Sequence, residues 1–85
     1  MPTRNEYHPK VVFHPGHDLR EKLKELGIEP SEFAERIGVP GQTILFIING
    51  KEAVTSELAE QFEKSLSIPA HFWLARQRSF YRTRA

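Results

Sequence analysis

Side chains that could catalyse a reaction or hold a metal are scarce in this sequence of 85 residues. Cysteine is absent, which excludes disulfides and thiolate ligands, and Asp18 is the only aspartate. His14 and His17 lie three residues apart, but without a clear carboxylate or cysteine partner they make a poor zinc site. There is no glycine-rich phosphate loop and no serine set beside a histidine. We therefore expect no catalysis, no small-molecule substrate, no cofactor and no metal.

A different chemistry, recognition of base edges and phosphates, is available in one short segment. The amide of Gln42 can make two hydrogen bonds to adenine, and Thr43 can offer its hydroxyl to phosphate or its methyl group to thymine. Gly41 would let a phosphate approach a backbone amide closely at the start of a helix. Asn49 and Lys51 follow at a distance suited to phosphate contacts. The alternative is that Gln42 and Thr43 are ordinary residues of a first helical turn and that Asn49 only ends the helix.

These groups need a helix that stands clear of the rest of the domain, and the residues around them predict one. Ala34, Gly38, Ile44 and Ile47 have the spacing of two short helices that cross steeply over a tight turn. Ala34 is small where the helices approach, Gly38 can take the left-handed conformation of the turn, and the two isoleucines face inward one turn apart. This is the layout of a helix-turn-helix, which presents its second helix to the major groove of DNA. The alternative is any helical hairpin with a glycine between its helices.

The whole pattern predicts an all-α domain of five helices behind a short extended arm. Prolines at positions 2, 9 and 15 keep residues 1–15 from starting as a helix, and Val11–Phe13 are read as part of an arm or as an edge strand. The predicted helices span residues 16–26, 30–37, 41–48, 56–66 and 69–81. We therefore divide the chain into an arm, 1–15, and a helix-turn-helix domain, 16–85, whose motif lies at 30–49.

The fifth predicted helix is apolar nearly all round, which is unusual for a helix on the surface of a small domain. Such a helix must be covered on more than one side, and an 85-residue domain can cover only one. The free side predicts a second copy of the chain. The residues expected at this dimer contact are Phe72, Trp73, Leu74, Gln77, Phe80 and Tyr81. The alternative is that Trp73 and Phe80 fold onto the N-terminal arm of the same chain.

Charge and hydropathy limit the possible partners. The formal net charge is only +1, which is weak for a nucleic-acid-binding protein. The charges are unevenly placed, because no acidic residue follows Glu63 while five basic residues do. This basic tail could touch phosphate or an acidic partner, or it could be only the solvated end of a helix. No apolar run approaches the ~20 residues of a membrane span and no signal-peptide pattern is present, so we expect a cytoplasmic protein without a membrane partner.

The sequence resembles the HigA family of antitoxins, small Xre-type helix-turn-helix proteins of bacterial toxin–antitoxin modules. The resemblance covers about residues 8–81. Its most specific parts are His14-Pro15-Gly16 near the start and Pro69-Ala70-His71-Phe72-Trp73-Leu74 near the end. Between them lie Glu32-Phe33-Ala34, Ile47-Ile48-Asn49-Gly50-Lys51 and Val54-Thr55-Ser56-Glu57-Leu58-Ala59, and Gln77 follows.

This resemblance implies a five-helix, lambda-repressor-like fold that dimerises through its C-terminal region. It also implies two activities, which are neutralising a ribonuclease toxin of the RelE/HigB type and repressing the module's own operon by binding operator DNA. In this fold the start of the third helix enters the major groove. The positions that match the DNA-contacting ones are Gly41, Gln42, Thr43, Leu45 and Phe46, with Asn49 and Lys51 just after the helix.

The sequence departs from the family within this same helix. No charged residue occurs between Val39 and Gly50, where relatives usually place Ser, Arg or Glu at several positions. Leu45 and Phe46 fall outside the inward stripe and are predicted to be exposed. They could read thymine methyl groups, bind protein or be covered by the arm.

The sequence does not define one surface for toxin binding. One candidate is the arm, through Tyr7, Val11, Val12 and Phe13, and another is the basic tail. Two alternatives to an antitoxin also remain. The chain could be a protein-binding module that has kept the scaffold without reading DNA, or it could be a stand-alone transcriptional repressor.

Overall fold

The computed structural model describes residues 13–84, and these fold into five helices with no strand among them. In chain order the helices are α1 (Pro15–Leu26), α2 (Pro30–Ile37), α3 (Gly41–Ile48), α4 (Ser56–Leu66) and α5 (Ala70–Arg84). The predicted bounds of α2, α3 and α4 are confirmed. Helix α1 begins one residue earlier than expected, and α5 begins one residue later and ends three residues later. Of the residues expected in the arm, Tyr7, Val11 and Val12 lie outside the described part of the chain.

The crossing of α2 and α3 forms as the sequence predicts. Gly38 ends α2 in the left-handed conformation, with a φ of 76°, and its amide bonds back to the last turn of the helix. Ala34 is 1% exposed where α2 meets α3, and Ile44 and Ile47 have no exposed surface. At the end of α3 the turn uses Gly50, with a φ of 75°, whereas Asn49 stays at −85°. The two short helices are therefore held at one buried contact, and the opposite face of α3 is left outside.

The N-terminus of α1 packs against the end of α3 through the His-Pro-Gly sequence. The Gly16 amide donates to Nδ1 of His14 at 2.9 Å, and Pro15 occupies the first helical position, where no amide donor is needed. Gly16 lies so close to α3 that a Cβ at this position would overlap the carbonyl group of Ile47. This close approach fixes the C-terminal end of α3 relative to α1.

Helix α5 covers the core with Trp73, which has no exposed surface. The Trp73 ring meets Phe62 edge to face, with 5.0 Å between ring centroids, and its indole N–H donates to the Ile68 carbonyl at 3.2 Å. The sequence placed Trp73 at the dimer contact. The structure places it in the centre of its own subunit, because the five-helix body covers more of α5 than one helical face. Trp73 is therefore removed from the residues proposed for dimerisation.

Two polar contacts hold α5 to the rest of the domain. Gln77 accepts a hydrogen bond from the Val54 amide at 2.7 Å and donates one to the Val54 carbonyl at 2.9 Å. Arg76 pairs with Asp18 of α1 through two nitrogens, at 3.1 Å and 3.0 Å. The Gln77 amide, which was also expected at the dimer contact, is thus engaged within its own chain.

Candidate nucleic-acid interface

Helix α3 and the residue that follows it present one exposed face, made of Gln42, Leu45, Phe46 and Asn49. These residues are spaced i, i+3, i+4 and i+7, which places them on one side of a helix. Leu45 is 48% exposed and Phe46 is 39% exposed, so their predicted exposure is confirmed. We call this set the α3 face. It is anchored from behind by the buried isoleucines of the same helix.

The polar groups of the α3 face are available for recognition. Within the described part of the chain, the side-chain amides of Gln42 and Asn49 have no hydrogen-bond partner. Each can therefore offer a donor and an acceptor to an incoming ligand, which is the pattern that suits the edge of adenine. Helix α3 contains no acidic residue in its first turn and no basic residue in its last.

The other residues predicted to contact DNA lie beside this face rather than on it. Gly41 and Thr43 are half-buried, while Lys51 is exposed after the end of α3. Gly41 borders an open groove of about 500 Å³ whose other wall comes from α2 and the turn before it. The carboxylates along this groove belong to Glu29, Glu32 and Glu35. Arg36 pairs with Glu32 at 2.8 Å, which leaves Glu29 and Glu35 without a basic partner among the described residues. Their negative charge opposes phosphate binding at this end of α3.

The Leu45 side of α3 carries positive charge that sequence reasoning missed. Leu45 borders a pocket of about 440 Å³ that is also lined by Arg20 and Lys24 of α1 and by Glu29, which borders the groove beside Gly41 as well. Both cations are exposed, and neither pairs with a carboxylate in the described part of the chain. Their spacing of four residues on the polar side of α1 was visible in the sequence. Their position beside Leu45 was not, because it depends on how α1 packs against α3.

A second exposed apolar region lies where the start of α1 meets the end of α5. Tyr81 is 47% exposed, Phe80 is half-buried, and both rings meet His14 edge to face. Phe13 is exposed and stacks on His17, with 4.1 Å between ring centroids. We call these five residues the aromatic end. They line a cavity of about 480 Å³ together with Ile48, Asn49 and Gly50. Residues predicted for dimerisation and for toxin binding are therefore neighbours here.

His14 is the buried member of the aromatic end, and burial lowers its pKa below the usual value. Its Nδ1 accepts the Gly16 amide, so the ring is neutral with its proton on Nε2. That Nε2 has no hydrogen-bond partner among the described residues. His14 therefore acts as a cap for α1, with its aromatic ring packed against α5.

The remaining predicted dimer residues lie along α5. Phe72 and Leu74 are half-buried, and the Arg76 guanidinium lies 5.2 Å from the centre of the Phe72 ring.

Of the helices in the described residues, none is long and apolar enough to cross a membrane.

Helix α3 packs against α2 through buried isoleucines and keeps an exposed face of amide and apolar side chains. This arrangement is that of a helix-turn-helix protein. Residues 19–73 match the helix-turn-helix family HTH_3, and the chain belongs to this family. The fold and the family are those of DNA-binding regulators and antitoxins.

Comparison with individual proteins indicates which kind of helix-turn-helix protein the chain is similar to. The chain is 35% identical over 71 residues to virulence-associated protein A of Dichelobacter nodosus, which covers 79% of the chain and 68% of that relative. Among solved structures it is similar to the antitoxin GraA, with 31% identity, a TM-score of 0.81 and coverage of 88% of this chain and 83% of GraA. It is also similar to the Pseudomonas aeruginosa antitoxin HigA with the higBA promoter, with 26% identity, a TM-score of 0.81 and coverage of 86% and 80%. The structural neighbours are thus HigA- and GraA-type antitoxins, and the resemblance noted in the sequence is confirmed.

Proposed function

We propose that this protein is the antitoxin of a type II toxin–antitoxin module. In this role it binds operator DNA as a homodimer, represses its own operon and neutralises a RelE/HigB-type ribonuclease toxin. The observation that carries the proposal is the α3 face, which is exposed and has amides with no partner among the described residues. The similarity to HigA, whose structure was solved with its promoter, supports DNA as the ligand of this face.

DNA binding would combine the α3 face with phosphate contacts from the flank. The α3 face would enter the major groove, with Arg20, Lys24 and Lys51 beside it to meet phosphates. The acidic groove beside Gly41 would face solvent, away from the DNA backbone, since carboxylates repel phosphate. This arrangement accounts for a DNA-binding protein whose net charge is close to zero.

Dimerisation would use the exposed part of α5 and the aromatic end. Tyr81, Phe80, Phe72 and Leu74 keep exposed or half-buried surface, as a contact between copies requires. A dimer would place two α3 helices about 34 Å apart, one turn of DNA, so that they read two half-sites. The double variant Phe80→Ser, Tyr81→Ser should be a monomer in sedimentation experiments. A dimer that persists would assign the contact to another surface.

Toxin binding would involve the arm, and Phe13 is the one residue proposed for this contact that lies in the described part of the chain. Phe13 is 46% exposed and rests on His17, so its outer surface is available to a partner. The other three residues proposed for this contact are Tyr7, Val11 and Val12. The exposed basic side chains near the end of α5, such as Arg78 and Arg82, are the alternative contact.

The deciding experiment has two parts that use the full chain. DNA from upstream of its own gene should be shifted by the protein, with an affinity that falls steeply with salt. The product of the neighbouring gene should co-purify with the protein and should cleave RNA only after the two are separated. Loss of DNA binding in the double variant Gln42→Ala, Asn49→Ala, with toxin binding retained, would assign the two activities to separate surfaces.

One observation favours a second candidate, a protein-binding module without DNA recognition. Helix α3 lacks charge and one of its flanks is acidic. Specific, salt-dependent binding to the upstream DNA would reject this candidate. Toxin binding in the absence of any DNA binding would favour it over the antitoxin-repressor.

A further inference from the structure

The composition of the α3 face restricts which base pairs it can read, provided that the proposed DNA-binding function is correct. The face consists of two amides, Gln42 and Asn49, and two hydrocarbon side chains, Leu45 and Phe46. Guanine is read best by Arg or Lys, cytosine by Asp or Glu, adenine by Asn or Gln, and the methyl group of thymine by apolar side chains. The α3 face therefore holds groups that suit adenine and thymine and holds none of the charged groups that suit guanine or cytosine.

The nearest cations do not change this restriction. Arg20 and Lys24 belong to α1 and border the pocket beside Leu45, at the flank of the reading helix. Side chains at a flank meet the sugar-phosphate backbone, which carries no sequence information directly. Lys51 follows the end of α3 and is likewise outside the exposed face.

The exposure of Leu45 and Phe46 points to thymine rather than to a protein partner. Together they are two half-exposed side chains, whereas a stable protein interface buries roughly 800 Å² on each partner. A thymine methyl group is the one apolar feature on the floor of the major groove, and contact with it needs only one side chain. Gln42 and Phe46 are one helical turn apart, about 6 Å along the axis, which spans roughly two base steps.

We infer that the protein recognises an operator half-site whose contacted core is A·T, and that Leu45 and Phe46 read the thymine methyl groups of this core. Gln42 binds an adenine within about two base pairs of the contacted thymines. The specificity of the protein then depends on hydrocarbon contact as well as on hydrogen bonds.

The test compares the wild-type protein on two versions of the same DNA. The operator is first located by footprinting upstream of the gene, and dU then replaces every dT in the footprinted half-site. Deoxyuridine keeps the pairing and the O4 acceptor of thymidine but lacks the methyl group. In fluorescence anisotropy at fixed salt we expect the dU operator to bind at least ten times more weakly. The same replacement outside the footprint should have no effect.

Two variants assign this effect to the proposed residues. The double variant Leu45→Ala, Phe46→Ala should bind the dT and dU operators equally, since it has lost the side chains that sense the methyl groups. The matched control is Leu26→Ala, which truncates a side chain of similar exposure on α1 and should keep the full difference.

The outcomes separate this inference from the proposed function. Equal binding of dT and dU operators by the wild-type protein would overturn thymine reading and leave the repressor function intact. A footprint whose core is G·C would do the same. Absence of any specific binding to upstream DNA would remove both proposals together.

Discussion

Among single residues, Gly16 is a position where the fold leaves no room for a side chain. A Cβ there would overlap the Ile47 carbonyl, which is backbone and cannot swing aside. We predict that Gly16→Ala lowers the free energy of unfolding by about 3 kcal/mol, at the upper end of the cost of overpacking. Chemical denaturation followed by circular dichroism would measure the loss.

The control for this substitution is Gly41→Ala. A Cβ at Gly41 would meet nothing within 4 Å, so this change should leave stability the same or raise it slightly. Equal stabilities for the two variants would show that α1 does not approach α3 as closely as described.

His14 makes the stability depend on pH in a specific direction. Burial lowers its pKa in the folded state below the value near 6.5 of the unfolded chain. Well above pH 6.5 His14 is deprotonated in both states and does not change the free energy of unfolding. As the pH falls below 6.5, the unfolded state binds a proton that the folded state does not. The free energy of unfolding should therefore drop, by at most about 1.4 kcal/mol per pH unit, until the folded pKa is reached.

The measurement for His14 is urea unfolding at pH 7.5 and pH 5.5 for the wild type and for His14→Asn. Asparagine can still cap the helix but does not titrate, so the variant should lose less stability between the two pH values. The other histidines are present in both proteins and cancel in the difference. Parallel stability curves would contradict the role given to His14.

At the scale of elements, α5 is held to the loop before α4 by Gln77. Its amide satisfies both the amide and the carbonyl of Val54, and Gln77→Ala would leave these two part-buried groups unpaired. We predict a loss of about 2 kcal/mol in the free energy of unfolding. The comparison is Gln42→Ala, whose amide has no partner among the described residues and whose removal should change stability by less than about 0.5 kcal/mol.

Only one of the two glutamine variants should change DNA binding. Gln42→Ala should weaken binding by about 1–3 kcal/mol at one base pair, while folded Gln77→Ala should bind normally. Electrophoretic shift of the operator measures this difference. Unchanged affinity in Gln42→Ala would remove this residue from the interface.

At the scale of the whole molecule, the distribution of charge matters more than the net value of +1. Two cations lie on the Leu45 side of α3 against the single carboxylate of Glu29, and three carboxylates, one of them paired with Arg36, line the groove beside Gly41. Such a surface can orient a duplex before any base is contacted, because one flank attracts phosphate and the other repels it.

This asymmetry predicts a specific salt dependence. Arg20→Gln and Lys24→Gln should each weaken binding to all DNA sequences alike and reduce the slope of log affinity against log salt by about 0.9. Lys64→Gln, an exposed change at the end of α4, should leave the slope unchanged. If the slope is the same in the wild type and in all three variants, Arg20 and Lys24 do not contact DNA phosphates.

The residues within each segment are enough to predict the five helices and the exposed face of α3. The bounds of α2 and α3 follow from Pro30, Gly38 and the inward pair Ile44 and Ile47, all of which act within a few residues of the chain. The exposure of the α3 face follows from the same spacing.

Which residues of distant segments meet depends on how the helices pack against one another. Trp73 is in the core because Phe62 and Ile68 surround it, and Arg20 and Lys24 flank Leu45 because α1 packs on α3. Helical periodicity states which residues share a face. It does not state how much of that face the rest of the domain will cover, since coverage depends on packing between helices that are far apart in the chain.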